Sequence, residues 1–105
     1  MRIVNAVISV CLAAGAYAAG NATDGKAVYE RTCKGCHGAT GEANPSLAKI
    51  MKVEIPNLGS TDVQKRSDDE LKKIVTEGKG KMPPTRTVTG KSVDDVVAYV
   101  RTLKK

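Results

Sequence analysis

The chain has 105 residues, with 17 Lys and Arg against 11 Asp and Glu and an apolar fraction of 41%. That length holds one small domain, the apolar content excludes a disordered or fibrous chain, and three unevenly placed cysteines exclude a disulfide scaffold. Aromatic residues are only 3% (Tyr17, Tyr29 and Tyr99), so something other than aromatic rings must fill the core.

Residues 1–19 differ in kind from the rest. Arg2 supplies a positive start, positions 3–12 are mostly apolar with Asn5 and Ser9 interrupting, and Ala16-Tyr17-Ala18 supplies a small–x–small cleavage pattern. This predicts a secretory signal peptide over residues 1–19, cut after Ala18 or Ala19, and a single domain over residues 20–105. The rival reading is an uncleaved membrane anchor, for which the apolar stretch is short. Cys11 is expected to leave with the signal, and Val10 ahead of it does not suit a lipidated cysteine. Residues 20–105 keep 16 basic and 11 acidic side chains. A domain this small buries only ~60–65% of its unfolded surface and needs a staple. A covalently held prosthetic group would supply both the missing apolar area and the missing crosslink.

Four helical segments are predicted in the domain. The first starts near Thr23 or Asp24 as N-cap and runs to about Cys33. The second follows Pro45, a good first helical residue, and carries Leu47, Ile50 and Met51. In the third, Ser67 and Glu70 read as a capping box, Leu71, Ile74 and Val75 line one face, and Gly78 closes the helix in a left-handed conformation. Residues 78–84, Gly-Lys-Gly-Lys-Met-Pro-Pro, exclude regular structure. The fourth starts at Ser92, with Val93, Val96, Val97, Val100 and Leu103 at helical spacing and Lys104 and Lys105 suiting its C-terminal dipole.

The chemistry lies at Cys33-Lys34-Gly35-Cys36-His37, the attachment signature of c-type haem. On a helical turn, positions i, i+3 and i+4 share a face. Cys33 and Cys36 can then reach two vinyl groups on one porphyrin edge, and His37 is directed at the iron. A thioredoxin-type pair would need a βαβ context, which is not visible. Zinc would need a fourth ligand, and His37 is the only histidine.

Together with Asp24-Gly25-x-x-x-Tyr29 ahead of it, a Lys-Met-Pro-Pro loop after it and Tyr99-Val100 in a terminal helix, this signature makes the chain resemble a class I monohaem cytochrome c of the small bacterial type. The resemblance spans about residues 24–103. It implies an all-α fold, about four helices wrapped around one covalently attached haem c. It also implies Met82 as the second axial ligand opposite His37, giving a low-spin iron of relatively high potential. Met82 sits in a non-helical loop ahead of two prolines that restrict the backbone. Met51, on the second helix, reads as core packing. The family's ligand histidine donates its other ring N–H to a proline carbonyl; Pro45 is the first candidate and Pro56 the second. Gly25, Tyr29 and Tyr99 would mark the crossing of the first and last helices. Leu47, Leu58, Leu71, Ile74, Val96 and Leu103 are pocket and core candidates, with Leu58 and Tyr99 assigned to the haem pocket.

The function so implied is a soluble periplasmic electron carrier, not an enzyme. It is expected to be a monomer that binds neither nucleic acid nor, after signal cleavage, the membrane. Lys34, Lys79 and Lys81 lie in or beside the two ligand loops, and Lys26, Lys49 and Lys52 extend the patch; they suit donor and acceptor redox proteins with acidic docking surfaces. The alternative is the haem subunit of a periplasmic oxidoreductase complex. A haem gas sensor would need an open sixth position, against which Met82 stands.

Overall fold

A computed structural model describes residues 20–105; the expected signal peptide, with its expected cleavage site and Cys11, lies outside the described residues. Six helices follow in order: α1 Ala22–Thr32, α2 Lys34–His37, α3 Pro45–Met51, α4 Thr61–Gln64, α5 Asp68–Glu77 and α6 Lys91–Thr102. The described residues contain no strand, only a bridge between Lys79 and Met82. The four expected helices are present. The two additions, α2 and α4, are single turns, too short to leave a periodic pattern.

The helix starts differ in detail from expectation. Asn21, not Thr23 or Asp24, caps α1, its side-chain oxygen accepting from the N–H of Thr23 (2.8 Å) and Asp24 (3.0 Å). Ser67 and Glu70 form the expected capping box on α5. Helix α6 begins one residue early, at Lys91, behind Gly90 at φ 57° and without a side-chain cap. Gly78 has positive φ as expected, but its ψ of 173° places it outside the left-handed helical region, in a conformation that essentially only glycine adopts. The left-handed C-cap belongs instead to Lys52, at the end of α3.

Helices α1 and α6 cross closely. A Cβ on Gly25 would run into the carbonyl of Asp95, so only glycine permits this approach. One turn on, the rings of Tyr29 and Tyr99 pack with centroids 5.1 Å apart at 53°. Asp95 is buried at the same crossing. Its Oδ1 accepts from the backbone N–H of Asn21 at 2.7 Å, and Lys91 Nζ lies 2.9 Å from both oxygens.

The buried core is Val28, Tyr29, Val63, Leu71, Val88, Val93, Val96 and Val97: seven aliphatic side chains and one ring. Leu58, Ile74, Val75, Tyr99, Leu103 and Cys33 pack against it, partly buried. Leu47 is half-buried and belongs to neither group, and Ile50 is 75% exposed on α3. On the far side of α6, Arg101 gathers the carbonyls of Gln64 and Arg66 and the carboxylate of Asp68, at 2.7–3.0 Å. That clamp fixes the turn between α4 and α5.

Candidate haem site

Cys33 ends α1 and begins α2; its carbonyl accepts from both Cys36 N–H (3.2 Å) and His37 N–H (3.0 Å). The five-residue signature is therefore one closed helical turn that places Cys33, Cys36 and His37 at i, i+3 and i+4. Both thiols are free and half-buried. Thr32 Oγ1 lies 3.3 Å from Cys33 Sγ and donates to the Val28 carbonyl at 2.7 Å, tying the sulfur to the last turn of α1. Burial pushes the Cys33 thiol up and the His37 imidazole down, each favouring the neutral form.

A short loop returns on α2 and satisfies its terminal carbonyls. Gly38 turns the chain at φ 79°; Ala43 N–H then donates to His37 O at 2.7 Å and Asn44 N–H to Cys36 O at 2.9 Å. The Asn44 side-chain amide reaches Gly35 O at 3.2 Å, while its oxygen caps α3 at Leu47 N–H. Asn44 thus joins the end of the signature turn to the start of α3. Sequence reasoning missed it, although an Asn-Pro pair ahead of an apolar run does signal a cap.

His37 Nδ1 is buried and has no hydrogen-bond partner. The expected bond to a carbonyl of Pro45 or Pro56 is not formed. Pro45 is the first residue of α3, where a carbonyl points along the helix into its own ladder, and Pro56 is exposed in the irregular segment after that helix.

Met82 is half-buried in a two-residue hairpin. Lys79 N–H donates to Met82 O at 2.9 Å and Met82 N–H to Lys79 O at 3.0 Å, with Gly80 and Lys81 at the tip. A Cβ on Gly78 would press on Met82 O and Pro84 N, so this loop also requires glycine. Lys81 Nζ donates to Met51 O, 3.0 Å away, which attaches the hairpin to α3. Met51 itself is half-buried at the end of α3. Leu58 is held by its N–H to Gly41 O at 2.8 Å, and both Leu58 and Tyr99 face the cluster that Cys33 also touches.

These residues fit a c-type haem. Two half-buried free thiols and an imidazole share one turn, and a large aliphatic side chain, Ile50, stands exposed on the helix that Asn44 joins to that turn. Among the described residues no group of three or more His, Cys, Asp and Glu side chains is disposed to hold a bare metal ion, and no helix is long and apolar enough to cross a membrane.

Comparison with known proteins bears on the same residues. The family described as cytochrome c oxidase, cbb3-type, subunit III matches residues 20–100. Cytochrome c-555 of Methylococcus capsulatus is 30% identical over 78 residues, 72% of this chain and 56% of that protein. The chain thus spans little more than half the length of that relative. Among solved structures, the KustC0563 c-type cytochrome superposes with a TM-score of 0.65 at 28% identity, over 78% of this chain and 99% of that one.

Proposed function

Because the chain belongs to the cytochrome c family, under the description cytochrome c oxidase, cbb3-type, subunit III, and so carries covalently bound haem c in an all-α small cytochrome fold, we propose that it is a soluble periplasmic one-electron carrier. Cytochromes c move electrons and as a rule transform no substrate. When bound, the haem supplies the ferric/ferrous couple. Cys33 and Cys36 would hold the haem through thioethers, each thiol S–H adding across a vinyl group with the sulfur on one carbon and the hydrogen on its neighbour. His37 and Met82 would hold the iron. The observation that carries this reading is the closed turn at Cys33-Lys34-Gly35-Cys36-His37, which sets two free thiols and the imidazole at i, i+3 and i+4.

The chain's other groups suit a carrier. Val28, Val96, Val97 and Tyr29 exclude water beside Cys33 and make the site rigid, which limits rearrangement when the charge changes. Lys34 and Lys79 are exposed beside the proposed ligands and would meet acidic donor and acceptor surfaces. The test is spectroscopic. The protein, matured in a host that attaches haem, should give a pyridine haemochrome with two saturated vinyl positions and low-spin spectra in both redox states. Met82→His should keep the haem and lower the potential. If Met51→Leu did so instead, the assignment of Met82 would be wrong.

The family description favours one second reading, a haem subunit of an oxidase or related complex. Native isolation separates the two: a stable partner with substrate-dependent haem reduction favours the complex, and a free monomer favours the carrier.

A further inference from the structure

We propose that Lys81 is a positioning residue for the Met82 sulfur, acting as a latch between the Met82 hairpin and the C-terminal end of α3; the proposal rests on Met82 being the axial ligand.

The hairpin is closed locally but held weakly. Its reciprocal backbone bonds fix Met82 to Lys79 alone. Pro83 and Pro84 supply no N–H. The flanking anchors, Gly78 N–H to Ile74 O and Thr85 N–H to Val75 O, both lead back to α5. Among the described residues, the one hydrogen bond that joins residues 79–84 to an element outside the loop is Lys81 Nζ to Met51 O, at 3.0 Å.

Its acceptor is a suitable one. At the end of α3, the left-handed Lys52 donates its N–H to the carbonyls of Ala48 and Lys49, and Val53 N–H also goes to Ala48. Met51 O, the last carbonyl of the helix, takes none of these donors. Such a terminal carbonyl calls for a cation, and an ammonium donor makes a charge-assisted bond there.

The latch also closes a path between the two ligand loops. Cys36 O and Gly35 O accept from Asn44, Asn44 caps α3, α3 ends at Met51 O, and Met51 O accepts from Lys81, the residue before Met82. Helix α3 is therefore the spacer that relates the His37 turn to the Met82 hairpin, and Lys81 is its fastening at the methionine end. Lys79 is the natural control: it carries the same charge on the same hairpin, but its side chain makes no hydrogen bond among the described residues.

The experiment compares the ferric haem-loaded wild type, Lys81→Gln, Lys81→Arg and Lys79→Gln. Two quantities are read: the sulfur-to-iron charge-transfer band and the rate at which added imidazole displaces the sulfur. Neither involves a partner protein, so docking does not enter. Loss of one net hydrogen bond predicts displacement about three- to tenfold faster in Lys81→Gln. Lys81→Arg, which keeps a cationic donor, and Lys79→Gln, which loses only charge, should stay near wild type. Equal rates for Lys81→Gln and Lys79→Gln, with the band present, would overturn the latch and leave Met82 as ligand. Absence of the band from the wild type would overturn the ligand assignment, and the latch with it.

Discussion

The hydroxyl of Tyr29, in the middle of α1, donates to the carbonyl of Gly38, directly after His37, at 2.6 Å. Tyr29 is fully buried, so this bond runs from the helix crossing, through the core, to the backbone that ends the signature turn. The tyrosine therefore supports the orientation of His37 as well as filling space against Tyr99.

Tyr29→Phe should leave the haem attached and cost about 1 kcal/mol in denaturant unfolding, rising toward ~3 if the Gly38 carbonyl stays unpaired. Burial, with smaller contributions from Cys33 and Tyr99, pushes the Tyr29 phenol from 10.0 up to about 12. The unfolded phenol ionises first as the solution becomes alkaline. Stability from this group is thus complete below pH 10.0 and falls as pH rises from there to about 12. Tyrosinate absorbance should show one late-titrating phenol, absent in Tyr29→Phe.

Gly25→Ala places a methyl group against the Asp95 carbonyl and the Tyr99 side chain, both belonging to α6. Overpacking at a helix crossing costs about 1–3 kcal/mol. Urea unfolding should register that loss, whereas alanine at exposed Gly35, where a Cβ meets nothing, should be close to neutral.

Asp95 is held below the usual carboxylate range, first by Lys91 and then by the Asn21 N–H. A depressed carboxylate stabilises the fold above its ordinary value of 3.8 and loses that contribution as pH falls through and below it. Asp95→Ala should therefore be less stable than wild type at neutral pH, and the gap should narrow on acidification below 3.8. Asp95→Asn, which still accepts from Asn21, should lie between them.

Replacing Lys34 and Lys79 with glutamine should slow electron exchange with acidic partners at low ionic strength. The effect should vanish at high salt, because the Debye length shrinks from ~30 Å at 0.01 M to ~3 Å at 1 M. A rate unchanged at low salt would make these lysines ordinary solvated surface.

Much of this was legible in the residues. The Cys-x-x-Cys-His run, the Ser67–Glu70 capping box, Pro45 at a helix start and the valine periodicity of the last helix are local features, and local stereochemistry dictates them. Gly25, Tyr29 and Tyr99 were readable as a crossing through their order in a family pattern. The one-turn helices α2 and α4 were not, because four residues carry no periodicity. Nor were Asp95 taking the Asn21 N–H from the far end of the chain, or Asn44 reaching back to Gly35 as well as capping its own helix, since each depends on a partner outside its own helix.

The sequence by itself determined the covalent chemistry available, two thiols and an imidazole on one turn, and the helices that frame them, since spacing and capping act over a few residues. Only the tertiary structure decided which carboxylate is buried at the helix crossing, which lysine is tied down beside Met82, and that Pro45 makes no bond to His37. Those outcomes arise from chain segments brought together by burial of a shared apolar face, where each polar group must take whatever partner the packing leaves within reach.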